Sequence, residues 1–233
     1  MSKANQARDL LARVARDHHP AALACSLSAE DMVLVDLIGR ERLAIEVFVL
    51  DTGRLHGDTL DLAGRVEQHY GITLRMHRPQ AQAVNEYAVR FGRDAFYESV
   101  ELRRRCCAIR KVEPLRRALA GKRAWVSGMR RGQSASRNDI AVEEFDQVHG
   151  MMKFNPLADW SEAEVWDHIG RCEVPYNPLH DQGYRSIGCA PCTRPVVAGE
   201  DARAGRWWWE AGGASECGIH FAPDGKIVRE KAI

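Results

Sequence analysis

The chain has 233 residues, 45 % hydrophobic and 28 % charged, values of an ordinary folded protein that argue against disorder. Its 33 Lys and Arg against 32 Asp and Glu leave a formal net charge of +1, which excludes bulk electrostatic capture of nucleic acid. No apolar run approaches the ~20 residues of a membrane span, and the N-terminal residues lack a signal-peptide core, so the expected location is cytoplasmic, without a membrane partner.

Residues 2–18 read as a helix with Leu10, Leu11 and Val14 on one face. Residues 21–27 read as a short buried strand, after which Ser28 can cap a helix starting near Ala29, with Glu30 and Asp31 at its positive end. Residues 43–50 predict a second strand ending in the turn Asp51-Thr52-Gly53. A helix over 57–70 and a third strand over 72–76 follow. Residues 80–120 read as helical, with Pro114 kinking the region or opening its last helix. A fourth strand is predicted over 123–127, a further one near 147–154, and a helix from Asp159-Trp160-Ser161-Glu162 to about Arg171. From Cys172 onward the pattern fades among Gly and Pro. Strands alternating with helices predict an α/β fold, a mostly parallel sheet flanked by helices, with a loop-rich C-terminal tail. No linker forces a division, so residues 1–233 read as a single domain: a core of about 1–172 and an appended segment of about 173–233.

The chemistry starts with thiols. Seven cysteines in a reducing compartment point to metal ligands, catalytic groups or buried apolar residues before disulfides. Cys189-Ala190-Pro191-Cys192 is a Cys-x-x-Cys, compatible with a redox motif or half a metal site. Cys106-Cys107 is an adjacent pair whose side chains, on a helix, point about 100° apart, which is awkward for one small ion. A [4Fe–4S] cluster relaxes that constraint; spacing alone leaves it and a Cys₄ zinc site equally compatible. Arg103, Arg104, Arg105, Arg110 and Lys111 flank the pair, as a solvated helix face or as cations offsetting bound thiolates.

Two loops follow strands. Cys25-Ser26-Leu27-Ser28 offers backbone N–H groups and hydroxyls to a phosphate, although a plain helix cap explains it as well. The stretch from Gly128 to Arg137, with Arg130, Arg131 and Arg137, puts guanidinium forks at a strand's C-terminal end, where ligands of open α/β sheets sit. The tail holds Arg203, Arg206, three consecutive tryptophans, and then Glu216-Cys217-Gly218-Ile219-His220. Cys217, near a histidine and arginines, can act as a thiolate nucleophile; a structural role is equally compatible. Cys25 and Cys172 read as buried apolar thiols.

Taken together, these segments resemble the assimilatory adenylylsulfate (APS) reductases, relatives of the phosphoadenylylsulfate (PAPS) reductases. The resemblance runs from about Ala24 to His220 and rests on residues 106–115, residues 186–194, residues 199–210 and Glu216-Cys217-Gly218-Ile219-His220. It implies an adenine-nucleotide α-hydrolase-like fold. It implies Cys106, Cys107, Cys189 and Cys192 as ligands of a [4Fe–4S] cluster, and Cys217 as the nucleophile on a mobile tail. The implied substrate contacts are Ser26, Leu27, Ser28, Asp51, Thr52, Gly53, Lys111, Gly128, Arg130, Arg137, Arg203, Arg206 and His220. The implied reaction is thiol-dependent reduction of APS to sulfite and AMP through S-sulfocysteine, with thioredoxin, glutaredoxin or glutathione as reductant. Two positions depart from the family pattern: Cys25 stands where Ser is usual, and Ser28 where Gly is common. PAPS reduction, or use of both nucleotides, is the nearest alternative. An ATP pyrophosphatase needs a Ser-Gly-Gly-x-Asp-Ser type loop that this chain lacks, and a zinc-stabilised nucleotide sensor is the non-enzymatic rival. Nucleic acid is not an expected partner, and the oligomeric state, including a homo-oligomer, stays open.

Overall fold

A computed structural model describes residues 2–210. Among these residues six strands form one sheet in the order β3-β2-β1-β4-β6-β5. They are β1 (Ala21–Cys25), β2 (Ile45–Leu50), β3 (Leu74–His77), β4 (Ala124–Val126), β5 (Glu143–Asp146) and β6 (Met151–Phe154). All neighbours run parallel except β5, which pairs antiparallel with β6.

Among the described residues seven α-helices accompany the sheet: α1 (Lys3–Asp17), α2 (Ala29–Arg40), α3 (Gly57–Tyr70), α4 (Ala81–Phe91), α5 (Val100–Cys107), α6 (Glu113–Leu119) and α7 (Glu162–Arg171). Alternation along the central strands sorts the core. Ala21, Leu23 and Cys25 of β1 face one side with Leu11, Val14, Met32, Leu62 and Val165, all buried. Ala22, Phe48 and Trp125 face the other, against Leu115, Ala118 and Leu119 of α6. A sheet covered on both faces reads as continuous apolar strands, as β1 and β2 do.

The predicted helical stretch over 80–120 is interrupted. Gly92, at φ 97°, ends α4, and Ala95–Tyr97 is a single 3₁₀ turn. After α5 the chain makes a π-helical turn over Ala108–Val112, and Pro114 then sits in the first turn of α6, where its missing N–H is harmless. The single strand expected near 147–154 is a hairpin: β5 and β6 flank a turn in which Asp146 accepts from the Val148 and His149 backbones at 3.0 and 3.2 Å. Ser161 caps α7 through a reciprocal pair with Glu164, at 3.2 and 2.7 Å. Ser28 does occupy the cap position of α2, but its hydroxyl accepts from Ser26 Oγ at 3.0 Å and not from the helix backbone. Beyond α7 the described chain has two short 3₁₀ turns, Pro178–Gln182 and Ala190–Cys192, and isolated β-bridges from Cys189 to Leu55 and from Thr193 to Arg206.

Candidate active site: a cleft and a thiol pocket with a common wall

A cleft of about 1090 Å³ opens at the C-terminal ends of β1, β2 and β4. In an open α/β sheet the helices that follow such ends present their free N–H groups there. The loop after β1 is braced by one carboxylate: Asp31 Oδ2 accepts from both the backbone N–H and the hydroxyl of Ser26, each at 2.6 Å. Asp31 is buried, and desolvation raises its pKa from 3.8 to about 6 against those hydrogen bonds. Gly128 passes so close that a Cβ there would collide with Asp31 Oδ1.

Ser26, Ser28, Thr52, Lys111, Gly128, Arg130, Arg137, Arg203 and Arg206 all line this cleft. Three other predicted contacts do not. Leu27 adopts φ 61° and its side chain is wholly buried in the core, so only its backbone belongs to the loop. Asp51 accepts from Arg78 Nε at 2.8 Å and from the Gly53 N–H at 3.0 Å, which braces the turn in which Gly53 sits at φ 69°. Arg130 reaches the cleft, yet its guanidinium is committed to Glu30 at 2.7 and 2.9 Å. Cys217 and His220 lie outside the described residues.

A second, narrow cavity of about 20 Å³ brings Cys106, Cys107, Cys189 and Cys192 together. Two come from the end of α5, and two from the loop ending in the 3₁₀ turn over Ala190–Cys192. The loop is docked on the turn after β2: Ala190 N–H donates to Arg54 O at 2.7 Å, and Thr52 Oγ1 meets Cys189 Sγ at 3.2 Å. Arg110 donates to Thr52 O at 2.6 Å. Burial pushes the Cys106 thiol up, and the Cys192 thiol up to about 12 with Cys189 and Cys107 adding to the shift.

Arg54, Phe96, Arg103 and Trp207 complete the pocket wall; Arg54 and Phe96 come from segments distant from the cysteines, and no local sequence signal singles those two out. Arg103, in a run that reads equally as a solvated face, is buried, whereas Arg104 and Arg105 are exposed. The three tryptophans divide as neighbours on a chain must: Trp207 is buried, Trp208 is exposed, and Trp209 packs on Tyr97 with centroids 4.4 Å apart. Two N–H groups at the pocket have no acceptor, Arg206 Nε and Trp207 Nε1. Lys111 and Arg206 line both the cleft and the thiol pocket.

Among the described residues, one trio of potential metal ligands has all its donor atoms within 4.8 Å of one another: Asp36, His168 and Cys172. Asp36 there already accepts from Arg40, Tyr70 and His168 at 2.6, 2.9 and 2.9 Å, which occupies its carboxylate, while His168 Nδ1 is buried without a partner. Cys172 is half-buried beside it, and Cys25 is buried in the core as expected. No helix among the described residues is long and apolar enough to cross a membrane.

Residues 20–195 match the phosphoadenosine phosphosulfate reductase domain family. The chain is 54 % identical over 218 residues to the adenosine 5'-phosphosulfate reductase of Allochromatium vinosum, covering 92 % of this chain and 85 % of the relative. It is 52 % identical to that of Burkholderia cepacia, over 91 % and 85 %. The crystal structure of phosphoadenylyl-sulfate reductase from Candida auris superposes with a TM-score of 0.70 at 27 % identity, over 81 % of this chain and 90 % of that one. Yeast FAD synthetase shares the fold alone, with a TM-score of 0.55 at 14 % identity, over 83 % and 66 %. The adenine-nucleotide α-hydrolase-like architecture read from the sequence is the one observed.

Proposed function

The chain belongs to the phosphoadenosine phosphosulfate reductase family, and from that premise we propose how it carries out, as a step of sulfate assimilation, the adenosine 5'-phosphosulfate reduction for which its relatives are named. The observation that carries the reading is the common wall. A cationic cleft at the nucleotide-binding end of the sheet and a pocket of four cysteines are separated by Lys111 and Arg206.

The nucleotide lies in the cleft, with its phosphate and sulfate toward Lys111, Arg137, Arg203 and Arg206. The Cys217 thiolate attacks the sulfur of APS; the bond between that sulfur and the bridging phosphate oxygen breaks, and AMP leaves with the electron pair. Charge grows on the departing phosphate, where fixed cations stabilise it most. A thiol of thioredoxin, glutaredoxin or glutathione then attacks Cys217 Sγ and expels sulfite. A second thiol reduces the mixed disulfide, so two thiols supply the two electrons. Cys217, outside the described residues, has to face first the substrate and then the reductant. His220 stands close enough in sequence to tune it.

A [4Fe–4S] cluster suits the donor set of the thiol pocket, four cysteines with no histidine or carboxylate in the lining. The unpaired Arg206 and Trp207 N–H groups suit sulfur acceptors. Such a cluster would supply fixed charge beside the cleft, offset by Arg54, Arg110 and Lys111. In this reading residues 1–172 form the nucleotide-binding core and residues 173–233 the cluster segment and catalytic tail of one cytoplasmic domain.

The test is intact mass of anaerobically prepared protein incubated with APS and no thiol. A gain of one SO₃ group on Cys217, lost on adding thioredoxin and absent from Cys217→Ser, supports the reading. A gain with PAPS alone overturns the substrate. No gain with either removes the covalent mechanism.

A further inference from the structure

Gly188 immediately precedes Cys189 and lines the cleft. Its φ lies outside the left-handed region, so its backbone does not require glycine. Its space does. A Cβ built there would lie 2.5 Å from Arg206 Nη2, 2.7 Å from Cζ and 3.1 Å from Nε. The guanidinium is therefore laid against the backbone of residue 188.

That posture is held from several sides. Arg206 Nη1 donates to Ser186 Oγ at 3.2 Å and to Ile187 O at 3.3 Å. Its Cζ sits 4.7 Å from the Trp207 ring centroid. Its backbone N–H is fixed to Arg203 O at 2.8 Å. Nε is the buried, unpaired atom of this guanidinium, which borders both the cleft and the thiol pocket.

We infer that Gly188 is a positioning residue: its missing side chain seats the Arg206 guanidinium in the wall between the nucleotide cleft and the thiol pocket. The inference rests on the proposed function and deepens it. Carbon contacts are comfortable at about 3.5–4.0 Å, so a methyl group at 188 drives the guanidinium roughly 1 Å away. The contacts to Ser186 and Ile187, already at 3.2 and 3.3 Å, do not survive that displacement. The colliding atoms are the far end of a flexible side chain, so the chain still folds and the four cysteines stay in place.

The test is a double-mutant cycle on the anaerobic holoprotein, using Gly188→Ala, Arg206→Ala and the double variant. AMP affinity is measured by calorimetry and iron content on the same samples. Gly188→Ala is expected to retain iron and to weaken AMP binding about tenfold, the scale of one charge-assisted hydrogen bond. In the Arg206→Ala background the same substitution is expected to cost nothing further, because its effect passes through Arg206. Equal losses in both backgrounds overturn the inference, as does loss of iron in Gly188→Ala when Arg206→Ala retains it. Tight AMP binding unaffected by Gly188→Ala leaves the nucleotide reading intact and removes this inference alone. Failure of the unsubstituted protein to bind AMP removes both.

Discussion

Arg103 and Glu210, 107 residues apart, meet in a bidentate ion pair, Nε to Oε1 at 2.7 Å and Nη2 to Oε2 at 2.9 Å. Both side chains are almost wholly buried, and Arg103 Cζ lies 4.6 Å from the Trp207 ring centroid. The pair ties α5, which carries two of the pocket cysteines, to the last described residues.

Removing Glu210 takes away the main counter-charge of a buried guanidinium, which keeps its Cys107 contact and the Trp207 ring, at a cost of up to about 3–5 kcal/mol. Glu210→Ala is therefore expected to lose that much in urea denaturation, and to lose iron as the α5 end loosens. Arg103→Met combined with Glu210→Leu should recover most of the stability. If the double variant is no more stable than Glu210→Ala, the charge argument fails.

Leu27 sets two effects against each other. Its φ of 61° costs about 1–2 kcal/mol for a residue with a Cβ, which glycine would relieve. Its side chain is fully buried, and deleting such a group costs about 2–5 kcal/mol. Burial wins, so Leu27→Gly is expected to destabilise the protein by a net 1–3 kcal/mol or so, read from the shift in urea midpoint. A stabilised variant would show that strain dominates.

Asp31 makes stability depend on pH. Its pKa is raised from 3.8 to about 6 in the folded protein, so between these values the folded state holds a proton that the unfolded chain has released. Its contribution therefore falls as pH rises through that window, by about 2 kcal/mol between pH 4.5 and 7. Against Asp31→Asn, which does not titrate, the unsubstituted protein should lose this amount of relative stability in matched urea titrations at the two pH values. A pH-independent difference between the two proteins would refute the assignment.

Lys111 lines both cavities but contributes no thiol. Lys111→Ala is expected to keep its iron while weakening AMP binding about tenfold or more, since a charge-assisted contact is removed. Loss of iron together with affinity would place Lys111 in the pocket's architecture and not in the cleft.

The parts of the molecule that sequence made legible are those whose signal is local. The periodicity of 57–70 returns as α3 with the same ends, and β1 and β2 begin or end within two residues of expectation. The convergence of four thiols in one pocket was legible from the paired and spaced cysteines. β5 was not, because Glu143, Glu144 and Asp146 make a polar segment that becomes a strand through pairing with β6. Arg103 gave no sign of burial, because the carboxylate that admits it is Glu210. Leu27 sits in a polar loop, and only the three-dimensional path of that loop turns its side chain into the core.

The π-helical turn over Ala108–Val112 has a consequence for chain length. It inserts one residue more than an α-helix would use between Cys106 and Cys107 on one side and Leu115, Ala118 and Leu119 on the other. A π turn spreads the extra residue over one wider turn, so the helix faces on either side keep the phase of a continuous helix. Deleting one residue of the turn would therefore restore a regular helix with α6 still in phase with the thiols. Only residues inside the turn, Arg110 and Lys111 among them, would change direction. Here the extra residue sets where those two cations point.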